Sequence, residues 1–153
     1  MSSVTADFSL NPAVAWAPLQ LLPQRPIVFF DGVCGFCNAW VDFLITRDPD
    51  GQLAFAPLQG ETARQLLPET DRQQLHSLVL WTPQKAYRKT AAVVRILWRL
   101  GGAWRIVAGL LWLIPLPLRN LGYDVVARNR YRLFGRKDAC RMPTPAERTR
   151  LLP

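Results

Sequence analysis

Two cysteines separated by two residues, Cys34-Gly35-Phe36-Cys37, carry the sharpest chemical signal in the chain. They follow four apolar β-forming residues, Ile27-Val28-Phe29-Phe30, and open a segment whose apolar residues recur at helical spacing. A helix start offers unpaired backbone N–H groups and the positive end of the macrodipole. Both favour a thiolate, the nucleophile of disulfide exchange. Cys34 is therefore read as the attacking sulfur. Cys37 lies one turn further on, on the face of Val41 and Leu44. It is expected to be the less exposed of the two and to resolve the mixed disulfide. Gly35 leaves room for a partner, and Phe36 shields one side.

Asp31 has two readings. It relays a proton to or from Cys37, or it caps the Asp31-Gly32 turn by accepting backbone N–H groups. A carboxylate so near also opposes thiolate formation, so residue types alone leave the acidity of Cys34 open. The same Cys spacing occurs in zinc sites, but a strand before it and a helix after it favour redox chemistry. A four-ligand zinc set would need His76 and Cys140, and nothing in the spacing brings either to the pair. Cys140 follows Arg136-Lys137 and is expected to pack locally rather than act as a third redox sulfur. No metal or cofactor is expected.

The elements that must hold the pair follow from patterning. A helix from about residue 34 to 46 places Cys37, Val41 and Leu44 on one face. Phe36, Trp40 and Phe43 form a second stripe, with Asn38 and Asp42 as a wet edge. Asp48-Pro49-Asp50-Gly51 turns the chain into a strand over 53–56. A short helix over 61–67, a strand over 78–81, a turn at 82–85 and a weak strand at Ala86-Tyr87 come next. Thr90 is read as the cap of a helix carrying Ala91, Val94, Leu97 and Trp98, stopped by Gly101-Gly102. This order describes an α/β domain with a central mixed four-stranded sheet, a βαβ unit followed by a β-hairpin and helix, and helices on both faces.

Extra C-terminal helices follow. Trp104 to Ile114 reads as an apolar helix buried against the sheet, Pro115 to Tyr123 as a turn, and a last helix runs to about Phe134. Trp98, Trp104 and Trp112 are assigned to the core. Residues 1–26 form a proline-rich extension, 27–143 the domain and 144–153 a tail.

The chain has 153 residues, half of them apolar and 20% charged, which excludes a generally disordered protein. Three cysteines are too few for a secreted disulfide framework. With no basic residue before Arg25 no secretory signal is expected, and a reducing cytoplasm is the expected compartment. The formal charge is +8, unevenly spread: residues 119–153 hold nine bases and three acids. Arg128, Arg130, Arg132, Arg136, Lys137 and Arg141 read as a solvated helix face rather than a nucleic-acid interface. Contact of the 104–118 segment with a membrane surface is the less favoured alternative to burial. Two competing functions are a non-catalytic basic interaction module and a small zinc protein.

Asp31-Gly32-Val33-Cys34-Gly35-Phe36-Cys37-Asn38 after a hydrophobic strand resembles the signature of the DCC family, named for its Asp-Cys-Cys motif. The likeness continues through Phe55-Ala56-Pro57-Leu58-Gln59, Thr90-Ala91, Tyr123, Ala127-Arg128-Asn129-Arg130-Tyr131-Arg132, Phe134-Gly135-Arg136 and Cys140. It implies a thioredoxin-like fold and thiol-disulfide oxidoreductase activity. Partners would be a disulfide-containing protein or small thiol substrate and a recycling thiol reductant, with no nucleic acid. The chain departs from ordinary thioredoxins. Trp and Pro are missing beside the cysteines, Leu75-His76-Ser77 stands where a proline would face the pair, and the acid sits on the CxxC loop itself. A narrower substrate range is expected.

Overall fold

In a computed structural model, residues 24–74, 77–138, 142 and 144–153 are described. His76 and Cys140, and most of the proline-rich extension, lie outside them. The elements are β1 (Ile27–Phe30), α1 (Gly35–Arg47), β2 (Ala54–Pro57), α2 (Glu61–Leu66), α3 (Glu69–Gln73), β3 (Val79–Trp81), β4 (Ala86–Arg88), α4 (Lys89–Leu100), α5 (Ala103–Leu113) and α6 (Leu116–Phe134). The sheet order is β2-β1-β3-β4. β1 and β2 are parallel, with Ile27 opposite Ala54, while β3 runs antiparallel to both β1 and β4. The mixed four-stranded sheet expected from the sequence is therefore present.

β1 is central, and all four of its residues are buried. Alternate side chains serve two cores, as the two-residue period of a strand requires. Val28 and Phe30 join Phe55 and Leu80 beneath Val41 and Leu44 of α1 and Ala92 and Ile96 of α4. Ile27 and Phe29 point the other way, toward Ala63 of α2, Leu58 and Leu67. Burying each such Leu, Ile or Phe contributes roughly 1.5–3 kcal/mol, so a run of four apolar residues can hold the middle of a sheet. Residues 150–152 lie along β2: Arg150 O accepts the Phe55 N–H and Leu152 N–H donates to Phe55 O, both at 2.8 Å. Leu151 enters the first core, and Arg150 pairs with the buried Asp48.

Several local expectations are corrected. Asn38 is no wet edge; it is buried, and its amide bonds the Gly32 and Cys34 carbonyls at 2.9 and 2.8 Å. Thr90 does not cap α4, whose first helical residue is Lys89; its hydroxyl instead joins Asn120 and accepts from Arg119 Nε at 3.0 Å. Trp98 points outward, because Ala92 and Ile96 face the sheet while Val94 and Leu97 face α5. The turn expected over 115–123 shrinks to Ile114-Pro115, since Pro117 sits in the first turn of α6, where its missing N–H costs nothing.

The largest correction is α5. It packs on α4 rather than on the sheet, and Ala108 is its one buried residue. Trp112 and Leu113 are 70% and 71% exposed. Trp104 is half-buried, edge-on to Phe43 at 4.9 Å.

Candidate active site

β1 delivers the chain to Asp31 at the edge of the core, and α1 carries it away. Cys34 is the N-cap of α1, with extended backbone, and its sulfur accepts the Cys37 N–H at 3.3 Å. This is the geometry that stabilises negative charge on sulfur at a helix start. The first turn carries no acidic residue to oppose it.

The expected order of exposure is reversed. Cys34 is wholly buried, and Cys37 is half-buried; both are free thiols. The cover over Cys34 is the chain that leaves α6. Gly35 N–H reaches Gly135 O at 3.4 Å, Lys137 N–H donates to Val33 O at 2.7 Å, and Cys34 forms a bridge with Arg136. Phe134 packs on Phe36 with centroids 4.9 Å apart. A Cβ on Gly35 would fall 2.6 Å from Phe134 O; only glycine admits this backbone crossing.

Cys37 sits where α1, α4 and α6 meet. Its thiol is pushed up to about 12, first by burial and then by its hydrogen bond with Cys34, against a lowering influence from Arg130. It therefore keeps its proton across the physiological range. Beside it opens a cavity of about 530 Å³, lined mainly by apolar groups that include Phe36, Trp40, Leu111, Leu118 and Val126.

Asp31 is the hub. Its Oδ1 accepts Val33 N–H at 3.2 Å, the turn cap expected of it, and Gln59 Nε2 at 2.8 Å. Its Oδ2 accepts Arg130 Nη2 at 3.0 Å and the Tyr131 hydroxyl. Arg130 also directs Nη1 at Cys37 Sγ, 3.6 Å away. Gln59 closes the loop by accepting Gly32 N–H at 3.1 Å. Tyr131 has a raised pKa, from burial and from its bond to Asp31.

Arg130, Tyr131 and Gln59 were not singled out as site residues from the sequence. Arg130 looked like one more base of a solvated face, whereas it is 3% exposed. Helical spacing held a clue: Tyr123, Ala127, Arg130 and Phe134 fall at i, i+4, i+7 and i+11, the stripe that meets α1. Among the described residues no group of three His, Cys, Asp or Glu side chains is gathered around a metal position.

A mixed sheet with a CxxC at the junction of its central strand and the next helix defines a thioredoxin-like domain. The family model for DCC1-like thiol-disulfide oxidoreductases matches residues 28–136, and the chain belongs to that family. It is 40% identical over 138 residues to the uncharacterized protein YuxK of Bacillus subtilis (strain 168), spanning 88% of this chain and 98% of that one. It is 36% identical over 121 residues to a chloroplastic DCC family protein of Arabidopsis thaliana, spanning 78% of this chain and 70% of that one. No solved structure matches significantly.

Proposed function

We propose that the protein reduces disulfides through Cys34 and Cys37, in a reducing compartment such as the cytoplasm. The observation that carries this reading is the asymmetry of the pair: the Cys34 sulfur takes a helix N–H, while Cys37 is held as a thiol up to about 12. Once the segment from Phe134 to Lys137 that covers it moves aside, the Cys34 thiolate attacks one sulfur of a substrate disulfide. That S–S bond breaks, a mixed disulfide forms, and the departing substrate sulfur takes up a proton. Cys37 then gives up its proton and attacks Cys34 Sγ, releasing the second substrate thiol. The Cys34–Cys37 disulfide is left, and two thiols of an external reductant return it to the dithiol.

Asp31 has a positioning part in this scheme. Its two oxygens are engaged by Val33, Gln59, Arg130 and Tyr131, which favours a positioning role over a proton shuttle. Through Arg130 it holds a positive charge beside Cys37, where the resolving thiolate must form. The apolar cavity next to Cys37 suits the apolar flank of a substrate disulfide.

Trapping tests the scheme. With a disulfide-bearing peptide and a thiol reductant, Cys37→Ser should accumulate a mixed disulfide at Cys34 and stop turning over. Cys34→Ser should form no adduct. An adduct on Cys37 in the Cys34→Ser protein, with turnover retained, would reverse the assignment.

A further inference from the structure

The outer surface of α5 and the first half of α6 is apolar, and none of the described residues covers it. Ile106, Leu110 and Leu113 follow one another at i, i+4 and i+7 on α5 and are 68%, 61% and 71% exposed. Leu118, Leu121 and Val125 continue along α6 at helical spacing, 60%, 61% and 54% exposed. Exposed apolar stripes of this kind mark an interaction site rather than ordinary surface.

Charge decides what it meets. From Arg99 to Asp138 the chain holds eight arginines and lysines against two acids. One of those acids, Asp124, is paired with Lys89 at 2.9 Å. The stripe of Leu118, Leu121 and Val125 runs on into Arg128 and Arg132, both exposed, and exposed Arg136 and Lys137 follow the helix end. Arg105 stands beside Ile106 at the other limit of the face. Apolar side chains bordered by bases of a single sign match the boundary between acyl chains and anionic headgroups. A second copy would set like charge against like, which costs rather than stabilises. No single helix among the described residues is long and apolar enough to cross a membrane, and α5 and α6 are bent by 110° at Pro115. Only the bent pair together has the length and composition of a span, and its exposed stripes bordered by bases favour lying in an interface.

The geometry points to an anionic lipid surface as the partner of this face, with α5 and the N-terminal half of α6 embedded at headgroup depth. Leu111 and Leu118, at the margin of the same hairpin, also line the cavity beside Cys37. Docking therefore turns the mouth of the redox site toward the lipid.

Flotation of the full chain with vesicles tests this. It should float with equal parts phosphatidylcholine and phosphatidylglycerol, stay behind with phosphatidylcholine alone, and release as salt is raised. Leu110→Glu with Leu113→Glu, both at exposed positions, should abolish flotation and leave the circular dichroism spectrum unchanged. Arg128→Gln with Arg132→Gln should weaken binding about thirtyfold, at about fivefold per arginine. Cys34→Ser should float like the parent, so failure of the redox scheme would leave this result intact. Absence of flotation on the anionic vesicles overturns the proposal, as does flotation that survives the paired glutamates. A concentration-dependent dimer, abolished by those same substitutions and indifferent to vesicles, would overturn it in favour of a second copy.

Discussion

The guanidinium of Arg130 lies 3.6 Å from the sulfur of Cys37, although the two are separated by 93 residues in sequence. The same side chain holds Asp31 at 3.0 Å, with the two side chains only 4% and 0% exposed. Buried charge pairs are sensitive to loss of one member, because the other is left without compensation.

Arg130→Met should therefore destabilise the fold by about 3–5 kcal/mol, read as a lowered denaturant midpoint with the slope unchanged. It should also raise the Cys37 thiol further, since Arg130 now pulls it down. Arg130→Lys, which keeps charge but not the two-armed reach, should recover part of the stability. A stable, fully active Arg130→Met protein would contradict the role given to this residue.

Alkylation of Cys37 should demand high pH, because its thiol is pushed up to about 12. Mass spectrometry of the labelled peptides across a pH series reads this directly. Stability should respond as well. In the unfolded chain Cys37 ionises near 9.0, and in the fold near 12, so the unfolded state binds fewer protons between those values. Stability from this thiol is complete below about 9 and declines as pH climbs toward 12. Cys37→Ala should flatten that decline.

Gly35→Ala should push the Phe134 carbonyl away, because the new Cβ would sit 2.6 Å from it. We expect a loss of about 1–3 kcal/mol, as for other overpacked sites. Cys34 in this variant should react faster with small alkylating reagents, since its cover is displaced. Unchanged reactivity would mean the segment over Cys34 does not limit access.

Leu151→Ala should cost about 2–4 kcal/mol, the usual range for a buried leucine. Its side chain is 8% exposed and packs in the core that holds Phe55. Thermal unfolding measures it, and a loss below about 0.5 kcal/mol, typical of surface positions, would show the segment to be detached.

Local features were legible in the sequence. Ile27–Phe30 announces a buried strand by composition, and Cys34 and Cys37 announce a helix start by spacing, because both depend on neighbours in the chain. Long-range features were not. Arg130 and Arg128 are the same residue type two positions apart, and only the phase of α6 against α1 sends one to Asp31 and the other to solvent. Asn38 looks like a polar break in an apolar helix until the Gly32 and Cys34 carbonyls are found turned toward it. The exposure of α5 was hidden for a different reason. Leu110 and Leu113 have the composition of a core helix, and hydrophobicity does not say whether the apolar neighbour is protein.

The pairing of residues 150–152 with β2 bears on how a polypeptide could be gripped. That flank of the sheet already has its backbone groups engaged, with Leu152 N–H on Phe55 O and Phe55 N–H on Arg150 O. The opposite flank is β4, three residues long, ending in Arg88 and bordered by Lys85 and Lys89, a short charged edge of the kind that resists strand addition. Among the described residues neither rim thus offers an open template for β-augmentation, which leaves the side chains where the helices converge as the surface a polypeptide would meet.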